Sequence, residues 1–121
     1  MNPTTLARIQ GACRLAIGTA HVLAPARAGT QWIGADADRP APQVFIGAFG
    51  VRDAALGAGA LATAGSSAAR PWLLAGAASD AVDLVATLRG REAIPKLAVA
   101  GVTVIAAGSA ALALFLAAQQ S

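Results

Sequence analysis

An all-α, four-transmembrane-helix bundle, with a long interfacial loop between its first and second helices, is the fold class this sequence predicts. Three observations point to it. Of 121 residues, 56% are hydrophobic and only 12% charged, about half the charged share of a soluble domain. Leu97 to Ala118 is a run of 22 residues without a charge, long enough to cross a ~30 Å hydrocarbon core at ~1.5 Å per residue. Three further apolar stretches precede it, separated by Pro, Gly and charged residues. A soluble bundle of this size has no means of keeping so much apolar surface dry. Residues 1–121 therefore read as a single integral membrane domain.

The first helix is expected over about 6–24, stopped by Pro25. The second spans about 43–64 and ends at Gly65-Ser66-Ser67. The third spans about 71–88, with Pro71 in a first turn, where its missing N–H costs nothing, and Arg89-Gly90 at its end. The fourth, 97–118, is bounded by Pro95-Lys96 and by Gln119-Gln120. Between the first two lies the long connection Pro25 to Pro42, in which Trp32 and Ile33 precede Asp36, Asp38 and Arg39. This reads either as a segment lying at the membrane–water interface with Trp32 as its anchor, or as an ordinary surface loop. The other two connections are short, so the helices they join are expected to be antiparallel neighbours.

Four spans put both termini on one side. That side carries Arg8 and Arg70; the other carries Arg27, Arg39, Arg89, Arg91 and Lys96. The positive-inside rule then orients both termini outward and predicts a multi-pass protein of the bacterial cytoplasmic membrane. Arg8 and Arg14 lie inside the first apolar stretch rather than before it, so no cleaved signal peptide is expected. The net charge of +3 comes from scattered basic residues without interleaved aromatics, which speaks against nucleic acid as a partner.

Five ionisable residues fall at bilayer depth: Arg14, Arg52, Asp53, Asp80 and Asp83. Each is costly there, by roughly 2.5–3.5 kcal/mol on insertion scales, and such residues are usually paired or functional. Glycines mark the faces they occupy. Gly11 and Gly18, Gly50 and Gly57, and Gly101 and Gly108 are each seven apart, on one face of their helices, and small residues let membrane helices approach closely. Arg14 lies between the first pair and Asp53 between the second, on the same faces; Gly76, Asp80 and Asp83 follow one line in the third helix. Arg52 sits ~100° around from Asp53 and has to reach sideways. The expectation is a buried cluster in which both arginines pair with some of the three aspartates. Two cations against three anions leave one excess negative charge, satisfied by a proton, a cation or a cationic group of a ligand or partner. Asp83, off the level of the arginines, is the expected odd one out.

Other signals carry less. His21 has no second histidine for a bis-histidine haem. Cys13 stands alone and reads as a small packing residue inside an apolar helix. Asp80 and Asp83 at i, i+3 resemble half of a divalent metal site, but two arginines stand close and the ligand set is too small. No metal or other cofactor is expected. There is no nucleophile motif, phosphate loop or dinucleotide fingerprint, and an enzyme is not expected.

The combination of Arg14 with Gly18, Pro25, Gln31-Trp32-Ile33-Gly34, the stretch Phe49-Gly50-Val51-Arg52-Asp53-Ala54-Ala55-Leu56-Gly57 and Ser79-Asp80-Ala81-Val82-Asp83 resembles small membrane proteins of high-GC bacteria that carry a domain of unknown function of the "4267" type. The likeness covers the first three helices. It implies four membrane helices and the same arginine–aspartate centre, and brings no activity. The expected role is an accessory or scaffold subunit in the lipid bilayer, self-associating or docked to a larger membrane complex, with the charge network holding the bundle. The alternative is a small homo-oligomeric transporter or channel coupled to protons or cations.

Overall fold

The computed structural model describes residues 1–120 and is all-helical there, with no strands among those residues. Five α-helices follow one another: α1 Pro3–Leu23, α2 Pro25–Ile33, α3 Pro40–Thr63, α4 Ala69–Arg89 and α5 Lys96–Gln119. Four of them are long, at 21, 24, 21 and 24 residues for α1, α3, α4 and α5, and their ends lie within about three residues of those expected. Punctuation by Pro and Gly explains the agreement. Asn2 caps α1 by accepting from the Thr5 N–H at 2.8 Å, with Pro3 in the first turn. Gly65, at φ +90°, turns the chain out of α3 in a conformation that disfavours a side chain.

The connection after α1 corrects the expectation of a loop. Pro25–Ile33 is α-helical, and Gly34–Asp38 continues as a 3-10 turn. The helix starts on proline and is released by Gly34 at φ +71°, against which Pro95 packs. Trp32 is folded into the protein: its Nε1–H donates to Thr87 Oγ1 at 2.9 Å and its ring meets Phe49 edge-on at 4.8 Å. It therefore latches α2 across α3 and α4.

The long helices form a closed ring in the order α1, α3, α4, α5, each antiparallel to its neighbours. The tightest pair is α1–α3. Here the first glycine of one helix meets the second of the other, as an antiparallel register requires. A Cβ on Gly18 would stand 2.5 Å from the Gly50 carbonyl oxygen, and one on Gly57 would stand 2.6 Å from that of Gly11. Neither fits. The buried faces are single stripes: Ala7, Gly11, Arg14 and Gly18 on α1, and Ile46, Gly50, Asp53, Gly57 and Ala60 on α3.

On α5 the packed face differs from the one expected. Ala106, Ala113, Leu116 and Ala117 are buried, whereas a Cβ on Gly101 or Gly108 would meet nothing within 4 Å. Gly108 is two residues from Ala106, ~200° around the helix. A glycine pair identifies a permissive face, not an occupied one. Cys13 is corrected too: it is exposed on α1 and packs no core.

The interior is built of very small groups. The apolar cluster consists of Ala7, Ala60, Ala69, Leu73, Leu116 and Ala117, and the largest fully buried side chains are Leu116 and Thr87. The large apolar side chains point outward instead: Val44, Phe45, Val51, Leu97, Val104 and Ile105 are 61–86% exposed. Two helices, Pro40–Thr63 and Lys96–Gln119, are long and apolar enough to cross a membrane. Substituting Gly57→Val is expected to lower the thermal midpoint of the detergent-solubilised protein sharply or prevent folding. Gly108→Val, on the open face of α5, is expected to leave that midpoint within a few degrees of the parent.

Candidate functional site

Arg14 stands mid-way along α1, and its guanidinium reaches every other long helix. Nη1 donates to Asp53 Oδ1 of α3 at 2.6 Å, and Nη2 to Asp80 Oδ2 of α4 at 2.5 Å and to Ser109 Oγ of α5 at 3.2 Å. The three charged side chains are 9%, 7% and 10% exposed. Position follows from the backbone. Gly11 and Gly18 bring α1 against α3 on either side of Arg14, and Gly76 leaves room on α4, where a Cβ would only touch the guanidinium at 3.5 Å. Asp53 and Asp80 lie near the middle of their helices, so the three charges share one level.

A second pair lies on the flank. Arg52 Nη2 donates to Asp83 Oδ2 at 2.6 Å, with side chains 35% and 14% exposed. The offset of Arg52 from Asp53 carries it around α3 to the next turn of α4, and its guanidinium lies 4.9 Å above the Phe49 ring centroid, within cation–π range. This corrects the expectation that Asp83 is the odd carboxylate. Asp83 is matched one to one; the excess anion belongs to Arg14, which serves two aspartates.

The five charges singled out from the sequence thus meet as a triad and a pair. Reading the sequence alone missed the polar residues that complete the triad. Ser109 Oγ accepts from Arg14 and from Gln10 Nε2, the latter at 3.1 Å, and Gln10 Nε2 also donates to the Ser109 carbonyl at 2.9 Å. The signal was available, since Ser109 is one of only two hydroxyls, with Thr103, in the most apolar helix and lies near its centre. Gln10 Oε1 is buried without a partner. Beside it and Arg14 lies a void of about 10 Å³, close to the smallest that holds one water.

Matched this way, the knot has one task its geometry performs directly. A guanidinium presents donors in a rigid planar fork, so its two carboxylates must approach from set directions. That fixes both the rotation and the depth of α1, α3 and α4.

No protein-family model, curated protein or solved structure matches this chain. The chemistry of the site stands on its own residues.

Arg14→Met leaves two buried carboxylates facing each other and is expected to cost about 3–5 kcal/mol, the usual price of removing one partner from a buried ion pair. The triple variant Arg14→Met/Asp53→Asn/Asp80→Asn removes the uncompensated charge and is expected to recover more than half of that loss. Reversible unfolding in mixed micelles measures both. Arg52→Gln, at a partly exposed pair, is expected to cost clearly less than Arg14→Met.

Proposed function

We propose that this chain is a four-span integral membrane protein that acts as a non-enzymatic accessory or scaffold subunit of a membrane assembly, with the Arg14 knot setting the shape it presents. The observation that carries the reading is the inverted arrangement of its apolar groups. Large aliphatic and aromatic side chains cover the outside of α3 and α5, while alanine, glycine and the ion triad fill the inside. That is the pattern of helices solvated by lipid, whose contacts with one another rest on close packing and polar groups rather than on burial from water.

Hydropathy alone favours α3 and α5 as spans. The case for α1 and α4 rests on two further points. Their 21 residues cover ~31 Å, a bilayer's hydrocarbon thickness. The mid-helix charges that lower their hydropathy, Arg14, Asp80 and Asp83, are all engaged with opposite charges within the bundle, which offsets much of the penalty of taking them into lipid. Ile9, Ile17, Val82 and Val85 also face outward. Thr19, exposed on α1, donates its hydroxyl to the Leu15 carbonyl at 2.8 Å and so needs no water. The basic residues gathered at the crossover end then orient that end to the cytoplasm and both termini outward. Likeness to the small four-helix membrane proteins of high-GC bacteria belongs to this proposal and adds no activity to it.

An accessory role is supported by the small space at the knot and by what α5 offers. The space beside Arg14 admits about one water. The Gly101/Gly108 face of α5 is open, and small residues on such a face let a partner helix approach. One observation favours the rival reading, a proton- or cation-coupled pathway: Arg14 faces two carboxylates, so the triad holds one anion more than it balances.

Gentle extraction from the native membrane, followed by native mass spectrometry, separates the two. An accessory subunit is expected in a particle much heavier than its own 11.9 kDa, with other subunits in fixed ratio. A small homo-oligomer that dissipates a pH gradient in proteoliposomes, and loses that ability in a folded Asp80→Asn variant, would replace this reading with the rival.

A further inference from the structure

A groove of about 680 Å³ opens at the crossover end, bounded by α1, α2, the first half of α3 and one edge of α4. Its size falls within the range of small-molecule sites. The walls are aromatic and held in place. Phe49 makes edge-type contacts with both His21 and Trp32, each with ring centroids 4.8 Å apart. Trp32 is tied to Thr87, and His21 Nδ1 lies 2.8 Å from the Ile17 carbonyl. Phe45, largely exposed, lines the side of the groove that opens across α3.

Two cations line the same groove. Arg52 gives Nη2 to Asp83, but its Nε–H is buried and has no acceptor, and a buried donor of this kind normally has one. Arg39, on the rim, holds Asp36 by a single 3.3 Å contact and remains mostly exposed. The surrounding end of the bundle sets five basic residues, Arg27, Arg39, Arg89, Arg91 and Lys96, against three acidic ones, Asp36, Asp38 and Glu92.

We infer that this groove binds one anionic phospholipid, its phosphate turned to Arg39 and its acyl chain along Phe45 and Phe49 toward the partly exposed Arg52. The chemistry selects this class. A free anion covers none of the aromatic wall. A cationic amphiphile meets two arginines. A zwitterionic lipid brings its ammonium group to Arg39. The opening across α3, a candidate span, gives entry from the side. The inference rests on the membrane reading above.

Tryptophan fluorescence tests it. The chain has two tryptophans, Trp32 in the groove wall and Trp72 near the start of α4, ~22 Å from Thr87 along that helix. Trp72→Phe leaves Trp32 as reporter, and Trp32→Phe leaves Trp72 as control. Each full-length chain is reconstituted in vesicles containing brominated phosphatidylglycerol or brominated phosphatidylcholine at equal mole fraction. Trp32 is expected to exchange in favour of the anionic lipid by roughly fivefold, the factor expected for one basic residue near a headgroup, and Arg39→Gln is expected to remove most of that preference. Trp72 is expected to show none. Equal quenching of Trp32 by the two lipids, or an unchanged preference in Arg39→Gln, overturns the lipid site and leaves the membrane reading standing. No quenching of either tryptophan by either lipid overturns both. If Trp72→Phe does not fold, the same comparison between the unsubstituted chain and Arg39→Gln reads the preference as a difference.

Discussion

One guanidinium holds this bundle in register. Arg14 hydrogen-bonds to α3, α4 and α5 at once, and its planar donors admit the two aspartates from only a few directions. A buried triad of this kind is poor evidence for net stability, because desolvating three charges offsets most of their attraction. Its value is selectivity. Helices lined with alanine and glycine slide and rotate past one another at little cost, since one small residue resembles the next. A charge left unmatched by such a slip is penalised heavily. The knot makes one rotation and one depth much better than the rest.

The glycines and the knot depend on each other. Gly18 lies against Gly50, and Gly57 against Gly11, so closely that no Cβ fits. That approach brings Asp53 within 2.6 Å of Arg14. In return the ion pair holds two backbones together that have few side-chain contacts to offer. Core packing follows from the same constraint: where backbones approach this closely, only alanine and an occasional leucine fill the space. Large side chains are displaced to the outside, and an apolar exterior follows from the small-residue interior as much as from the solvent it faces.

Much of this was legible in the sequence because the signals are local. Pro25, Gly65, Gly90 and Pro95 punctuate the helices, and the i, i+3, i+7 placement of Gly11, Arg14 and Gly18, matched by Gly50, Asp53 and Gly57, puts opposite charges on facing stripes. What was not legible depends on contacts made across the fold. The crossover from Pro25 reads as a loop because its polar and glycine residues mask a helix that is stabilised by Trp32 docking on Thr87. Gly101 and Gly108 have the spacing of a packed pair, yet which side of α5 turns inward is decided by Ala106, Ala113 and the reach of Ser109 to Arg14. The pairing of Asp83 with Arg52 rather than with nothing is likewise a matter of how α3 rotates against α4.

The proposed four-span arrangement places α1, despite its charges, in the membrane with Arg14 turned to the knot. Cys13, the chain's one cysteine, is adjacent to Arg14, ~100° around α1 from it, and exposed. Reaction with a charged, water-soluble maleimide in open membrane fragments tests the claim most directly, with Ala35→Cys in a Cys13→Ala background as a position on the exposed crossover. The account predicts that position 35 reacts promptly while Cys13 stays unmodified until the membrane is dissolved in denaturing detergent. Prompt modification of Cys13 in intact fragments, at a rate like that of position 35, would place α1 in water and contradict it.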